Sequence, residues 1–175
     1  VLLANALIDE SAFSDASQVL ADVLAETASD DPVVLARLYW SQSRLHAAKQ
    51  ESAAAARYAN KALWLLEATE FTQYRSRAHH LLAHIEIYRG NAEQALELLA
   101  KGRELARCGG TPYDTAKLDL EEARAFSQLG DLDQAAALVN RAATELAHHH
   151  PLALPRCYAA LAAVFVFAND RAGGR

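Results

Sequence analysis

The sequence predicts an all-α protein, an α-solenoid of about four helical hairpins followed by a terminal helix. Three observations carry that expectation. Ala and Leu, both strong helix formers, supply more than a third of the 175 residues, while only 7 Gly and 4 Pro interrupt them. The chain resembles itself at a spacing of forty: Gly90-Asn91-Ala92-Glu93-Gln94-Ala95 returns as Gly130-Asp131-Leu132-Asp133-Gln134-Ala135. The long breaks keep the same spacing, with Pro32, Thr72 and Pro112 in equivalent slots. A hydrophobic share of 52% argues against disorder. A mean hydropathy of -0.06, with charges throughout, leaves no membrane span.

Each element follows from local signals. Helices are expected over 1–9 and 14–28, joined at Ser11-Ala12-Phe13-Ser14-Asp15-Ala16, a weak copy of the repeated turn. Asp31-Pro32 offers an N-cap and a proline at the first helical position, which starts the pair 32–48 and 51–69 across Gln50-Glu51-Ser52. Thr72 opens 72–89. Gly90 then ends that helix and Asn91 caps 92–107, with Gln94 placed to complete a capping box. Cys108-Gly109-Gly110 closes the unit. Thr111-Pro112 starts 112–129, and Gly130, Asp131 and Gln134 repeat the turn before 132–147. His150-Pro151 opens a last helix to about 168. The stripes Leu96, Leu99, Leu105 and Leu138, Val139, Ala142, Leu146 read as core faces. The units are therefore about 1–29, 30–70, 71–110 and 111–149, with a terminal helix over 150–168. The chain opens at Val1 and contains no Met, so a segment of a longer protein is expected.

Small residues recur at the positions where paired helices would cross. Ala4, Ser43, Ala83, Ala123 and Ala163 stand in the first helices, and Ala16, Ala55, Ala95 and Ala135 in the second. With Leu2-Leu3-Ala4-Asn5-Ala6-Leu7 at the start, this pattern resembles the tetratricopeptide repeat. The resemblance implies a right-handed solenoid whose first helices line a concave wall. Two departures stand out. The period is about 40 rather than 34. Gln42 and Glu122 occupy positions where that family prefers Leu, and His46 and Glu86 positions where it prefers Tyr; these four are expected to make polar contacts that set register. The longer helices, with Tyr39-Trp40-Ser41-Gln42-Ser43-Arg44 and Leu82-Ala83-His84-Ile85-Glu86, resemble the arrays fused to bacterial helix-turn-helix (XRE-like) transcription regulators. That implies a cytoplasmic sensory and oligomerisation domain, with DNA bound only through a missing N-terminal domain. The alternative is a tetratricopeptide protein-protein scaffold with no DNA-binding domain attached.

The period lets side-chain columns be read along the array. Arg37, Arg77 and Lys117 are forty apart, as are Arg44, His84 and Arg124, and Trp40, His80 and Leu120 lie between them. Tyr88 and Gln128 sit one turn beyond. Such a wall suits an extended peptide or protein segment carrying carboxylates. Pairing of the same cations with Glu121, Glu122 or Asp119 of neighbouring helices is the competing use. With 17 basic against 22 acidic residues, net -5, the segment is a poor candidate for gripping duplex DNA itself.

Other chemistry is weakly signalled. His80 and His84 have the helical spacing of zinc ligands but lack a third ligand and a general base. His148-His149-His150 is a helix end that favours cations. Cys108 and Cys157 lack a CxxC partner and fit a reducing compartment. No phosphate loop, nucleophile elbow or catalytic triad is present, so neither enzyme activity nor a cofactor is expected. Leu161-Ala162-Ala163-Val164-Phe165-Val166-Phe167-Ala168 is apolar on every face, and the polar tail after it supplies no covering helix. A homodimer through residues 152–168, with Leu161, Val164, Phe165 and Phe167 at the interface, is the resulting expectation.

Overall fold

The computed structural model describes residues 1–27, 31–155, 157–160, 162 and 166. Eight α-helices are present among them: α1 (Leu2–Asp9), α2 (Phe13–Glu26), α3 (Pro32–Ala48), α4 (Ser52–Glu67), α5 (Thr72–Tyr88), α6 (Ala92–Arg107), α7 (Pro112–Leu129) and α8 (Leu132–His149). The described residues contain no strand. Consecutive helices pack on one another, giving the four hairpins α1/α2, α3/α4, α5/α6 and α7/α8. The starts of α3, α5 and α7 at Pro32, Thr72 and Pro112 keep the forty-residue period intact.

The hairpin turns share one device. Ser11, Gln50, Gly90 and Gly130 adopt positive φ, at 62°, 62°, 82° and 90°. The amide of the next residue (Ala12, Glu51, Asn91 or Asp131) then donates to the carbonyl five residues back, at 2.8 to 3.0 Å. This is the left-handed helix stop that satisfies an otherwise orphaned carbonyl. Glycine takes the strained position at no steric cost in two turns, while Ser11 and Gln50 accept it without that freedom.

Helix starts differ in part from the sequence expectation. Asp31 accepts from the Val33 amide at 2.8 Å, behind Pro32 as expected. Asp131 accepts from the Gln134 amide at 3.1 Å, but Gln134 returns no bond. Asn91 does not cap α6; its side-chain amide donates to Glu86 at 2.6 Å instead. The complete capping box lies at Thr111 and Asp114, where each side chain bonds the other's backbone amide. A buried carboxylate competing for Asn91 and a shorter acid at Thr111 account for the exchange. The last segment opens as a 3-10 turn over Pro151–Ala153 before turning helical.

The core is a row of small-residue crossings. Ala4, Ala16, Ala55, Ala83, Ala95, Ala123, Ala135 and Ser43 are all 0% exposed. Ala4 clusters with Ala16, Ala83 with Ala95, and Ala123 with Ala135. In the second hairpin Ser43 donates its hydroxyl to the Ala55 carbonyl at 2.8 Å, so the one polar member is satisfied. Leu99, Leu138, Val139, Ala142 and Leu146 are buried, as the stripes predict, while Leu96 and Leu105 are half-buried. Beyond α8, Cys157 and Ala160 are buried against the last cluster and Leu154 packs beside it, whereas Leu152 is 97% exposed. Ala163, Leu161, Val164, Phe165 and Phe167 lie outside the described residues.

Curvature follows from which helices touch. The first helices of successive hairpins contact each other in turn, α1 with α3, α3 with α5 and α5 with α7. Among the described residues no second helix contacts another second helix. A stack whose one side is drawn together while the other splays curves toward the closer side. The inner wall therefore belongs to α1, α3, α5 and α7.

The Ala crossings set the hairpin spacing, so enlarging one should be costly. Ala95→Leu is expected to lose about 1–3 kcal/mol of stability through overpacking, whereas Ala100→Leu on the exposed face of α6 stays neutral. Urea unfolding followed by circular dichroism compares the two; equal midpoints would remove the crossing from its structural role.

Candidate ligand groove on the inner wall

The basic columns lie on the helices that form the inner wall, and most of their members meet carboxylates there. Arg77 on α5 donates from Nε and Nη2 to the two carboxylate oxygens of Asp114 on α7, at 2.9 and 3.3 Å. Gln73 and the Thr111 hydroxyl donate to the same carboxylate. His84 lies 3.2 Å from Glu121, which also accepts from Arg124 at 2.8 Å. Gln128 donates to the Ile87 carbonyl at 2.9 Å. The α5/α7 seam is thus closed by four cross-helix contacts. At the other end, Arg44 on α3 reaches back to Asn5 and Asp9 of α1, at 3.1 and 2.6 Å, with its guanidinium 5.1 Å from the centre of the Trp40 ring. Lys117 stacks on Tyr113 at 5.4 Å. Tyr88 is 72% exposed and meets His84 edge-on at 4.8 Å.

Burial decides the protonation states here. Burial alone would raise the Asp114 pKa, but the hydrogen bonds from Arg77, Thr111 and Gln73 outweigh it and hold the carboxyl well below its usual range. Burial opposes Glu121 in the same way, and His84 and Arg124 reverse the effect. His80 has the opposite fate. Burial, then the neighbouring Lys117, lower its pKa from 6.5 to about 3, with Glu121 opposing. His80 is therefore a neutral imidazole in the middle of the wall. No group of three or more potential metal ligands occurs among the described residues.

The α3/α5 seam breaks the pattern. Arg77 to Asp114 and His84 to Glu121 each span 37 residues. The same step from Arg37 arrives at Tyr74, and from Arg44 at Leu81. Both carboxylates of the next seam are absent from this one, because α5 carries Tyr and Leu where α7 carries Asp and Glu. Arg44 turns back to α1 as a result. Arg37 is exposed, and its side chain makes no ion pair or hydrogen bond among the described residues. Trp40 fills the seam against Ala78, Leu81 and Leu82, and its Nε1 is buried without an acceptor.

The four register positions divide. Glu122 meets Arg103 of α6, at 3.1 and 2.8 Å, as a contact between units. Glu86 is 5% exposed but serves its own turn, accepting from Arg89 and Asn91. His46 pairs with Glu51 and stacks on Tyr58 at 5.2 Å. Gln42 is half-buried.

A second set of columns, on the outer face, escaped the sequence reading. Since second helices do not touch, a trough runs between each successive pair, floored by the first helix between them. The floor column is Tyr39, His79 and Asp119, and one wall carries Lys61, Lys101 and Arg141, all forty apart. In the trough between α6 and α8, Asp119 is 2% exposed and accepts from Arg103 at 2.6 Å and from Arg141 at 2.7 and 2.6 Å. These bonds outweigh burial for Arg103 and raise both guanidinium pKa values. A cleft of about 480 Å³ opens above, bordered by Arg107, Glu122 and Gln134. The forty-residue step that revealed the inner columns would also have found these.

The pKa shifts predict acid sensitivity. His80 binds a proton in the unfolded chain below 6.5 but resists it when folded, so stability falls as pH drops from 6.5 toward about 3. Asp114 and Glu121, depressed in the fold, add losses only at lower pH. The loss between about pH 7 and about pH 5 should shrink by about 1 to 2 kcal/mol in His80→Leu. Urea midpoints at the two pH values provide the measurement, and an unchanged difference refutes the assignment.

No family model matches the sequence, and no curated protein matches it. Among solved structures, the crystal structure of BtubC (BKLC) from P. vanneervenii is similar in fold, with a TM-score of 0.74 and 20% sequence identity. The match covers 96% of this chain and 71% of that one. At this identity the likeness establishes a shared all-helical fold.

Proposed function

We propose that this chain is a tetratricopeptide-like partner-binding module whose inner wall takes an extended, acidic protein segment at the α3/α5 seam. The observation that carries the reading is Arg37. It occupies the slot from which Arg77 grips Asp114, yet its own seam supplies Tyr74 instead. A carboxylate brought by a partner completes that bidentate bond. Trp40, with Arg44 stacked on it, provides apolar contact beside it, and Tyr88 and His80 extend the wall. The remaining column members, Arg77, His84 and Arg124, hold the wall's shape through their own carboxylates. Binding energy then comes from a few residues in a preformed surface. No residue set here performs covalent chemistry in this reading, and no cofactor enters it.

Trp40 reports on the seam. In a Trp64→Phe background, a Glu/Asp-rich peptide should change Trp40 fluorescence saturably. Arg37→Glu should weaken that binding by about tenfold or more, the cost of reversing one charge pair at the site, with helicity unchanged. Equal affinity in the variant would refute this location.

A finer form of the proposal makes the module the sensory and oligomerisation half of a cytoplasmic bacterial transcription regulator. Support comes from the long helices, the forty-residue period and a net charge of -5 that leaves DNA contacts to another domain. Ligand at the seam would shift the pitch of the array and so the geometry of a dimer. The terminal helix, with Leu152, Tyr158 and Val166 exposed at 97%, 66% and 59%, is the proposed two-fold contact. Sedimentation equilibrium at micromolar concentration should give twice 19.0 kDa. A monomer would sink the regulator form and leave the scaffold reading.

A further inference from the structure

The three outer troughs are built on one plan but balanced differently. In the trough between α2 and α4, the Lys61 ammonium sits over the rings of Tyr39 and Tyr58, at 5.3 and 5.5 Å. In the trough between α6 and α8, Arg141 and Arg103 reach from opposite walls to the buried Asp119. The middle trough, between α4 and α6, has the cation and lacks the acceptor. Lys101 stands where Arg141 stands, His79 where Asp119 stands, and Arg75 lies one turn before His79 on α5.

The consequence is a set of unanswered donors. Arg75 Nε and His79 Nδ1 are both buried without a hydrogen-bond partner. A backbone held close by Gly102 of α6, whose added Cβ would lie 3.4 Å from His79 Cβ, keeps the imidazole at the α5/α6 contact. Burial, then Lys101 and Arg75, lower the His79 pKa, while Glu67 at the end of α4 opposes them. Glu67 is exposed and forms no ion pair among the described residues, so it does not take the acceptor's place. Buried N–H groups are normally paired, and two unpartnered nitrogens one turn apart on α5, with Lys101 near enough to act on His79, call for an oxyanion.

We propose that the middle trough is a carboxylate-binding site, in which a ligand oxygen pair does for Arg75, His79 and Lys101 what Asp119 does for Arg103 and Arg141. The His79 imidazole donates through Nδ1–H, Arg75 through Nε–H and Lys101 through its ammonium. The carboxylate comes either from a free small acid or from an Asp or Glu of a partner protein. This site is on the face opposite the Arg37 seam and stands independently of it.

Nuclear magnetic resonance of the His79 imidazole tests the site on the intact chain. Sodium acetate and a tetraglutamate peptide are titrated separately at constant ionic strength. At least one should shift the resonance saturably and raise the His79 pKa. Lys101→Ala, an exposed substitution, should weaken binding about tenfold, and Glu67→Gln should strengthen it. Saturation by both probes assigns a free carboxylate; saturation by the peptide alone assigns a partner side chain. His79→Asp, which installs the acceptor of the next trough, should raise Tm. No saturable shift with either probe overturns the proposal, as does undiminished affinity in Lys101→Ala. Insensitivity of the site to Arg37→Glu separates it from the inner wall.

Discussion

Everything in this array rests on how closely two helices approach where an alanine of one meets an alanine of the other. Three such crossings, and a fourth where Ser43 meets Ala55, each fully shielded from solvent, hold the hairpins together at their narrowest points. Close approach at the crossing forces divergence elsewhere. First helices end up touching first helices, and second helices stand apart. The inner wall and the outer troughs are therefore two results of one packing constraint. Where the crossing residue is Ser43 rather than Ala, its hydroxyl finds the Ala55 carbonyl, so close approach survives a polar atom.

Charge is arranged on this frame by substitution at fixed slots. The same register step joins Arg77 to Asp114 and His84 to Glu121, and it finds no acid between α3 and α5. On the outer face the floor position changes from Tyr39 to His79 to Asp119, and the wall cation is met by rings, by an unpaired imidazole and by a carboxylate in turn. Buried charge is tolerated only when answered. Asp119 and Asp114 show full answers, with two guanidiniums on one and a guanidinium, an amide and a hydroxyl on the other. Where the acids are missing, the Arg37 side chain on the inner face and Arg75 Nε on the outer face are left without a hydrogen-bond partner among the described residues.

Much of the architecture was legible from one chain. Helix starts at Pro32, Thr72 and Pro112, turns at Gly90 and Gly130 and the Ala crossings depend on local chemistry, which repeats visibly. The left-handed stops at Ser11 and Gln50 were only faintly signalled, since neither residue advertises positive φ; their positions within the repeat carried the information. The cap at Asn91 was misread because the decisive competitor, the buried Glu86, draws its side chain away from α6; Thr111 starts its helix as expected, and only the capping box it completes with Asp114 went unread. The inner columns were legible as columns, and their pairing was not. Whether Arg77 faces ligand or Asp114 depends on how far α7 slides against α5, a quantity no single helix encodes.

The sequence by itself determined the helices, their period and the hairpin pairing, because helix propensity, turn stereochemistry and small-residue spacing act within a few residues of one another. Tertiary structure alone decided which charges are spent and which remain. Arg44 and Arg37 are equal in the sequence, each a column member on α3. Packing gives Arg44 the Asp9 carboxylate and leaves Arg37 exposed, with Tyr74 rather than an acid one register step away. Likewise His79 differs from an ordinary surface histidine because its Nδ1 is buried with no partner among the described residues. Ion pairs across helices depend on offsets of a few ångströms between distant segments, and those offsets exist only once the stack has formed.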